Sequence, residues 1–408
     1  MAHLLRVSAP LTLCLLLLAG CAFVMPPTRE PVTIRFVFPP FGAGREAYEE
    51  LAAAFEEEHP YITVELVQRA PWQAGASEGD VITVFGELIW TLREDETIVA
   101  LDPYIQQDEQ FDLEDLHPSA AAYFSYEQER WAIPAGLDVS VIYYNRDLFD
   151  QAGVPYPSLD WTWDDFFAKA VELRDPLTGV YGYAAVGSGL NANWDVVSFI
   201  YQHGGRIVDD LYEPTVVTFD DPLTIEALEW YARLAHEYDA ILTPERSGDE
   251  YDSNNPSVAI VSDKVAMWLD SFSGMPEIVN TVNWGMAPLP RDARAFTPAS
   301  IFGYALSAEA VDAEACWLWI SYLSRQPPAG MLPVRRSVLE SEEYENRVGG
   351  DVVDVAIVSL EGAEVVSYIT LYTGMRREMD LFTRGMSYIL RGTLEPAEAM
   401  DEAQYKAQ

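Results

Sequence analysis

Two short runs of the chain place an aromatic ring beside amides or carboxylates. One is Asn191-Ala192-Asn193-Trp194-Asp195 and the other is Met267-Trp268-Leu269-Asp270. An aromatic face stacks on the apolar C–H face of a sugar while neighbouring carboxylates and amides bind its hydroxyls, which is the wall composition of a small-molecule pocket. The same mixture holds an organic cation against the ring. Trp72 and Trp90 also lie beside loop-forming residues. With 11 Trp in the chain, most are expected in the core, Trp317 and Trp319 above all. Other chemistries leave no mark. His3, His59, His117, His203 and His236 are scattered, without a partner at metal-ligand spacing. There is no Gly-x-Ser-x-Gly elbow and no phosphate-cradling loop, and no cofactor is expected. Acidic pairs are common, but among 65 acids a pair carries little weight. Glu56-Glu57-Glu58 reads as a solvated helix face.

The N-terminus carries one cation, Arg6, and then an apolar run from Leu11 to Leu18. That run is shorter than the ~20 apolar residues a spanning helix needs. Leu18-Ala19-Gly20-Cys21 follows, so residues 1–20 read as a secretory signal peptide. Cysteine after Leu-Ala-Gly is the pattern at which bacterial lipoproteins are cleaved and acylated. Cys21 is therefore the expected lipid acceptor, and residues 21–31, rich in Pro, a lipidated tether. Cys14 leaves with the signal, so only Cys316 remains and no internal disulfide can form. Cys316 lies in an apolar helical run and reads as a small buried hydrophobe.

The remaining chain is long enough for two domains. Its 65 acids against 25 bases give a formal charge of −40, and the only lysines are Lys169, Lys264 and Lys406. Such a surface repels nucleic acid and anionic headgroups. Helices and strands alternate. Residues 33–38, 62–66 and 81–85 read as strands, with a helix over 45–58 that turns Tyr48, Leu51, Ala52 and Phe55 to one side. Thr162 with Asp165 is close to a capping box. Asp221-Pro222 starts a further helix with Leu228, Tyr231, Leu234 and Ala235 on one face. This order predicts an α/β chain with a mostly parallel sheet.

One stretch carries a family likeness: Trp131, Pro134, Tyr144-Asn145-Arg146-Asp147-Leu148-Phe149, Ala152-Gly153 and Thr162-Trp163-Asp164-Asp165. It resembles the solute-binding proteins of ABC importers, in the branch that includes the maltose-binding proteins. Phe55-Glu56 with His59 to Val64, Ala100 to Ile105, Gln202 to Gly205, Asn283 to Pro290 and Pro333 to Ser337 fit the same pattern in order. Gly79-Asp80-Val81 departs from it by Gly in place of Pro, and Asp263-Lys264-Val265-Ala266-Met267 by Asp263 in place of Gly.

The resemblance implies a two-lobed periplasmic-binding-protein fold of type II, with the ligand cleft between lobes joined by a multi-strand hinge. It puts residues 32–137 and 303–333 in lobe 1 and residues 138–302 and 334–408 in lobe 2. Crossings are implied at 135–140, 301–305 and near Pro333. Asp138, seven residues before Asn145, takes the place of the acid that binds sugar hydroxyls. Phe85 and Glu87 follow the third strand, and Trp194, Trp268, Asp270, Phe302 and Arg336 are placed in the cleft by motif position. Asn145 is expected to fix a strand-to-helix turn. The implied function is a monomeric, lipid-anchored extracytoplasmic receptor that hands a carbohydrate to an ABC permease. A polyamine or other organic-cation receptor is the alternative within transport. A secreted carbohydrate-active enzyme is the alternative outside it, and would need two carboxyls ~5–10 Å apart.

Overall fold

In the computed structural model, residues 29–39, 44–69, 78–86, 88–184, 194–211, 214–243, 256–274, 281–328, 330–365 and 375–408 are described. Cys21, Trp72 and Glu87 lie outside them. Twelve strands are named among the described residues: β1 (Val32–Phe38), β2 (Ile62–Gln68), β3 (Val81–Phe85), β4 (Ser125–Tyr126), β5 (Glu129–Arg130), β6 (Ile133–Asn145), β7 (Tyr181–Ala184), β8 (Ile241–Leu242), β9 (Val265–Ser271), β10 (Trp284–Ala287), β11 (Thr297–Leu306) and β12 (Ala363–Val365). Ten form one sheet in the order β2-β1-β3-β11-β6-β9-β7-β8, with β10 on β6 and β12 on β11.

The sheet has a parallel half at each end. β1 pairs in parallel with β2 and β3, and β7 in parallel with β8 and β9. Two long antiparallel strands join the halves. β6 pairs with β11 from Ile133 to Val139, then with β9 from Ser140 to Tyr144. A register shift between Phe302 and Gly303 marks the crossing, and Leu137 bridges to Leu332 on a third passage of the chain. Because β3, β11, β6 and β9 are antiparallel in turn, β3 and β9 run in opposite senses. The carboxyl ends of the two parallel halves therefore face each other across the crossing.

Each half has its own core. At one end Phe36, Tyr48, Phe55 and Trp319 pack edge to face, with Phe55 and Trp319 centroids 5.0 Å apart. At the other, Phe149, Trp161, Phe166, Tyr183, Phe199 and Phe382 are buried together. Truncating one such aromatic costs about 3–5 kcal/mol. A third cluster runs along the crossing and contains Leu137, Val139, Val141, Tyr143, Trp268, Val334 and Leu360.

Local signals in the sequence are met at several points. Helix Gly44–Glu58 buries Tyr48, Ala52 and Phe55. Thr162 and Asp165 form a reciprocal capping box, and Asp221 accepts from the N–H groups of Leu223 and Thr224. Buried Asn145 caps helix Arg146–Ala152 by accepting from Leu148 N–H at 3.2 Å. Its amide also donates to Asp263 at 2.7 Å, and Asp263 has φ +55°. That left-handed conformation accounts for the family's glycine there, and Asp is one of the few other residues that tolerates it. Gly182 has no such freedom: a Cβ would lie 1.8 Å from the Ala170 carbonyl, so only glycine lets helix Trp163–Glu172 sit on β7. Cys316 is buried, with its thiol pushed well up by burial. One expectation is corrected. Glu57 and Glu58 are exposed, but Glu56 is half-buried and accepts Val64 N–H at 2.8 Å, tying the helix to β2.

Candidate functional site

In open α/β sheets, ligands bind in the crevice outside the carboxyl ends of parallel strands. Here two sets of such ends oppose each other, and the crossing strands form the floor between them. Phe85 is the last residue of β3 and pairs with Phe302 on β11, their ring centroids 4.4 Å apart and tilted by 44°. Phe85 is half-buried and Phe302 buried. The next residue, Gly86, donates its N–H to Ile301 O at 3.0 Å. A Cβ there would meet the Tyr123 ring at 2.6 Å, so only glycine lets that ring pack on the end of β3.

Asp138 sits on β6 opposite Ser300 and is partly buried. Its Oδ1 accepts Ser273 N–H at 2.9 Å and its Oδ2 accepts the Ser273 hydroxyl at 2.7 Å. Ser273 lies in the short helical turn Phe272–Gly274 that directly follows β9. The contact therefore ties the crossing strand to the turn that follows β9. Ser271 Oγ is 2.9 Å from Ser273 Oγ, extending the line of hydroxyls, and the Tyr143 hydroxyl donates to Ser271 O and Phe272 O. Burial pushes the Asp138 carboxyl up to about 6; the Ser273 bonds oppose this and the nearby Asp270 carboxylate adds to it. Asp270 is itself half-buried and accepts Ser271 N–H at 2.7 Å. The result is the Asp138 carboxylate bonded to Ser273 with the Ser271 hydroxyl beside it, and Asp270 near enough to act on its charge. Such a set can accept hydrogen bonds from hydroxyls or attract a cation. Among the described residues, no group of three or more His, Cys, Asp and Glu side chains could hold a metal ion.

The structure places Asp138, Asp270, Phe85 and Phe302 on strands at the crossing, the two rings packed against the first core, and sets Trp268 and Arg336 elsewhere. Trp268 is fully buried, its ring stacked on Tyr143 at 5.7 Å and 11°. Its face is covered by protein, so it cannot serve as a platform for solute. Trp194 opens helix Trp194–His203. Its neighbour Asp195, read from the sequence as a hydroxyl-binding acid, is buried and accepts from the hydroxyls of Tyr183 and Tyr231 at 3.0 and 2.7 Å. Arg336 lies at an exposed position in a different cavity, described below. Its neighbour Arg335 is the buried one, donating to Ser324 O, Asp112 O and Asp115. Sequence reasoning missed Ser271, Ser273 and Tyr143. The run Asp270-Ser271-Phe272-Ser273-Gly274, polar and glycine-ended after an apolar strand, is the signal that could have found them.

A separate pocket of about 170 Å³ lies where the third passage meets helix Gly350–Glu361. Pro118, Pro333, Val334, Leu339, Ile357 and Leu360 contribute apolar walls, and Asp115, His117, Arg335, Arg336, Glu340 and Glu361 the polar ones, Arg335 being engaged by Asp115. Leu137 and Val139 of β6 belong to the same buried cluster as Val334, Leu339 and Leu360. Side chains alternate along a strand, so Asp138 points to the other face. The pocket and the crevice lie on opposite faces of the crossing strand.

Two opposed parallel half-sheets, a doubly crossed hinge and a polar crevice between them define a two-lobed binding protein. The chain belongs to the family of bacterial extracellular solute-binding proteins, which it matches over residues 41–327. It is similar to the mannitol-binding protein of Pseudomonas aeruginosa, 26% identical over 237 residues, which cover 55% of this chain and 51% of that protein. It is also similar to the erythritol/L-threitol-binding protein of Mycolicibacterium smegmatis, 23% identical over 340 residues, 73% of this chain and 69% of that one. The chain thus matches about half the length of the first relative. Among solved structures, the ABC substrate-binding protein of Listeria monocytogenes in complex with cycloalternan superposes with a TM-score of 0.72. The two are 20% identical, over 93% of this chain and 98% of that one. The family is extracellular, and among the described residues no helix is long and apolar enough to cross a membrane.

Proposed function

We propose that the protein captures a carbohydrate, a sugar or a polyol, outside the cytoplasm and delivers it to an ABC permease. The observation that carries this reading is Asp138. A carboxylate on the crossing strand, bonded to the hydroxyl and the N–H of Ser273 in the turn after β9, offers solute hydroxyls the same bonds that Ser273 now makes. Relatives that bind mannitol and erythritol or L-threitol, and a similar fold solved with cycloalternan, support the ligand class. Residues 32–137 with 303–333 would move as one lobe against 138–302 with 334–408, because β6 and β11 are the strands that pass between them. Cys21 would carry the lipid that keeps the receptor at the membrane, and Cys21→Ala should then release it to the soluble fraction.

A thermal-shift screen against mannitol, erythritol, α-glucan oligosaccharides and putrescine tests the ligand class. A true ligand at 100 times its dissociation constant adds about 2.7 kcal/mol of stability. The same ligand should lower the radius of gyration in small-angle scattering as the lobes close. Shifts with putrescine alone would replace the carbohydrate reading by the cation one, which the proximity of Asp138 and Asp270 favours. No shift with any of these compounds would sink both.

A further inference from the structure

We propose that the pocket on the far face of β6 is a second binding site, built for a small aliphatic zwitterion of about the size of leucine. Its walls are Pro118, Pro333, Val334, Leu339, Ile357 and Leu360. Ile357 is 37% exposed, an aliphatic wall open to solvent that an occupant would cover. At 170 Å³ the pocket suits a branched aliphatic body, since a dry cavity of about 150 Å³ already takes benzene.

The charges at the pocket select what such a body must carry. Asp115 is engaged: it accepts from Ser337 N–H at 2.8 Å, from the Ser337 hydroxyl at 2.6 Å and from Arg335 at 3.3 Å. Burial would raise its carboxyl, but these bonds hold it below the usual range. Arg336, Glu340 and Glu361 have no ion pair among the described residues. Arg336 and Glu340 stand one helical turn apart, Glu340 N–H bonding to Arg336 O, yet no salt bridge joins their side chains. His117 has its Nδ1 on Ser119 Oγ at 2.8 Å, and burial together with the Arg336 charge lowers the pKa of its ring. A simple anion would gain Arg336 but meet Glu340 and Glu361. A simple cation would meet Arg336. A molecule with a carboxylate for the guanidinium, an ammonium for the glutamates and an aliphatic branch for the walls satisfies all three.

Asp115, His117 and Pro118 precede the first crossing, while Ile357, Leu360 and Glu361 follow the last. On the two-lobe reading above, the occupant therefore touches both lobes, and binding behind the hinge would be coupled reciprocally to binding in the crevice.

Titration calorimetry of the mature chain with L-leucine, 4-methylpentanoate and 3-methylbutylamine tests the site. The second compound lacks the ammonium and the third lacks the carboxylate. Leucine should bind one to one and each analogue at least about tenfold more weakly, the usual size of a charge-assisted hydrogen bond's contribution. Arg336→Ala, at an exposed position, and Glu361→Gln should each weaken leucine by about tenfold. Absence of saturable leucine binding up to about 10 mM overturns the proposal. If a carbohydrate still binds in that case, the proposed transport function stands and only the second site falls. Leucine binding lost in Asp138→Asn and kept in Arg336→Ala would place leucine in the crevice and sink both readings.

Discussion

Asp138 and Asp195 are two carboxylates in nearly the same chemical situation, with opposite prospects. Burial raises both, and hydrogen bonds oppose it at each. Asp195 has the hydroxyls of Tyr183 and Tyr231, rings locked in the second core, and is 2% exposed. Asp138 has the N–H and hydroxyl of Ser273, a small residue in a turn at the end of β9, and stays partly exposed. A bond to a buried tyrosine can break only if the core opens. A bond to a serine at a crevice can be exchanged for one to solute. What separates the two acids is the burial of the partner: Tyr183 and Tyr231 are fully buried, Ser273 only half-buried.

The largest effect should come from breaking the buried member. Asp195→Ala leaves two tyrosine hydroxyls buried without their acceptor and should cost about 2–5 kcal/mol of stability. Urea unfolding would show it as a lower midpoint, with solute affinity in the folded protein unchanged. An unaltered midpoint would mean that the tyrosines find other acceptors and that the contrast with Asp138 is false.

Asp138→Asn should do the reverse. Stability should hardly fall, because Asn still accepts from Ser273 and carries no charge to desolvate. Affinity for a neutral carbohydrate should drop by roughly ten- to a hundredfold, the loss of one charge-assisted bond worth about 1.5–3 kcal/mol. Calorimetry at low and high salt sharpens the result, since for a cation the wild-type affinity would also fall as salt rises. Equal affinity in the two proteins would remove Asp138 from the site.

The smallest effect is in pH. The folded carboxyl of Asp138 titrates at about 6, above its usual value of 3.8. The folded state therefore binds more protons than the unfolded state between these values, and stability attributable to Asp138 rises as pH falls through that window. Binding that needs the carboxylate as acceptor should decline over the same range. The difference between wild type and Asp138→Asn, in melting temperature and in affinity, should therefore narrow from pH 7 towards pH 5. A constant difference would place the titration elsewhere.

What could be read from the sequence was local. Strands, the Thr162 box, the Asp221 cap and the Asn145 turn depend on neighbours within a few residues, and so they were legible. The family likeness also carried the crossing strands and Asp138. Trp268 was not legible because its place depends on which face of β9 meets Tyr143. Arg335 and Arg336 are adjacent and chemically identical, and only the tertiary packing of Asp112, Asp115 and Ser324 decides which one is buried. Ser273 escaped notice because its importance comes from β6, 135 positions away.

The double crossing also sets an order on synthesis. β3 is made early, yet its antiparallel partner β11, from Phe302↔Phe85 to Leu306↔Val81, emerges only in the last third of the chain. Until then β3 and the first half of β6 present unpaired edges, and pairings this distant in sequence form slowly. A chain stopped before Thr297 would keep both edges open, the condition in which strands recruit one another between molecules. The strand that passes between the two halves is thus also one whose late arrival leaves the nascent chain open to aggregation.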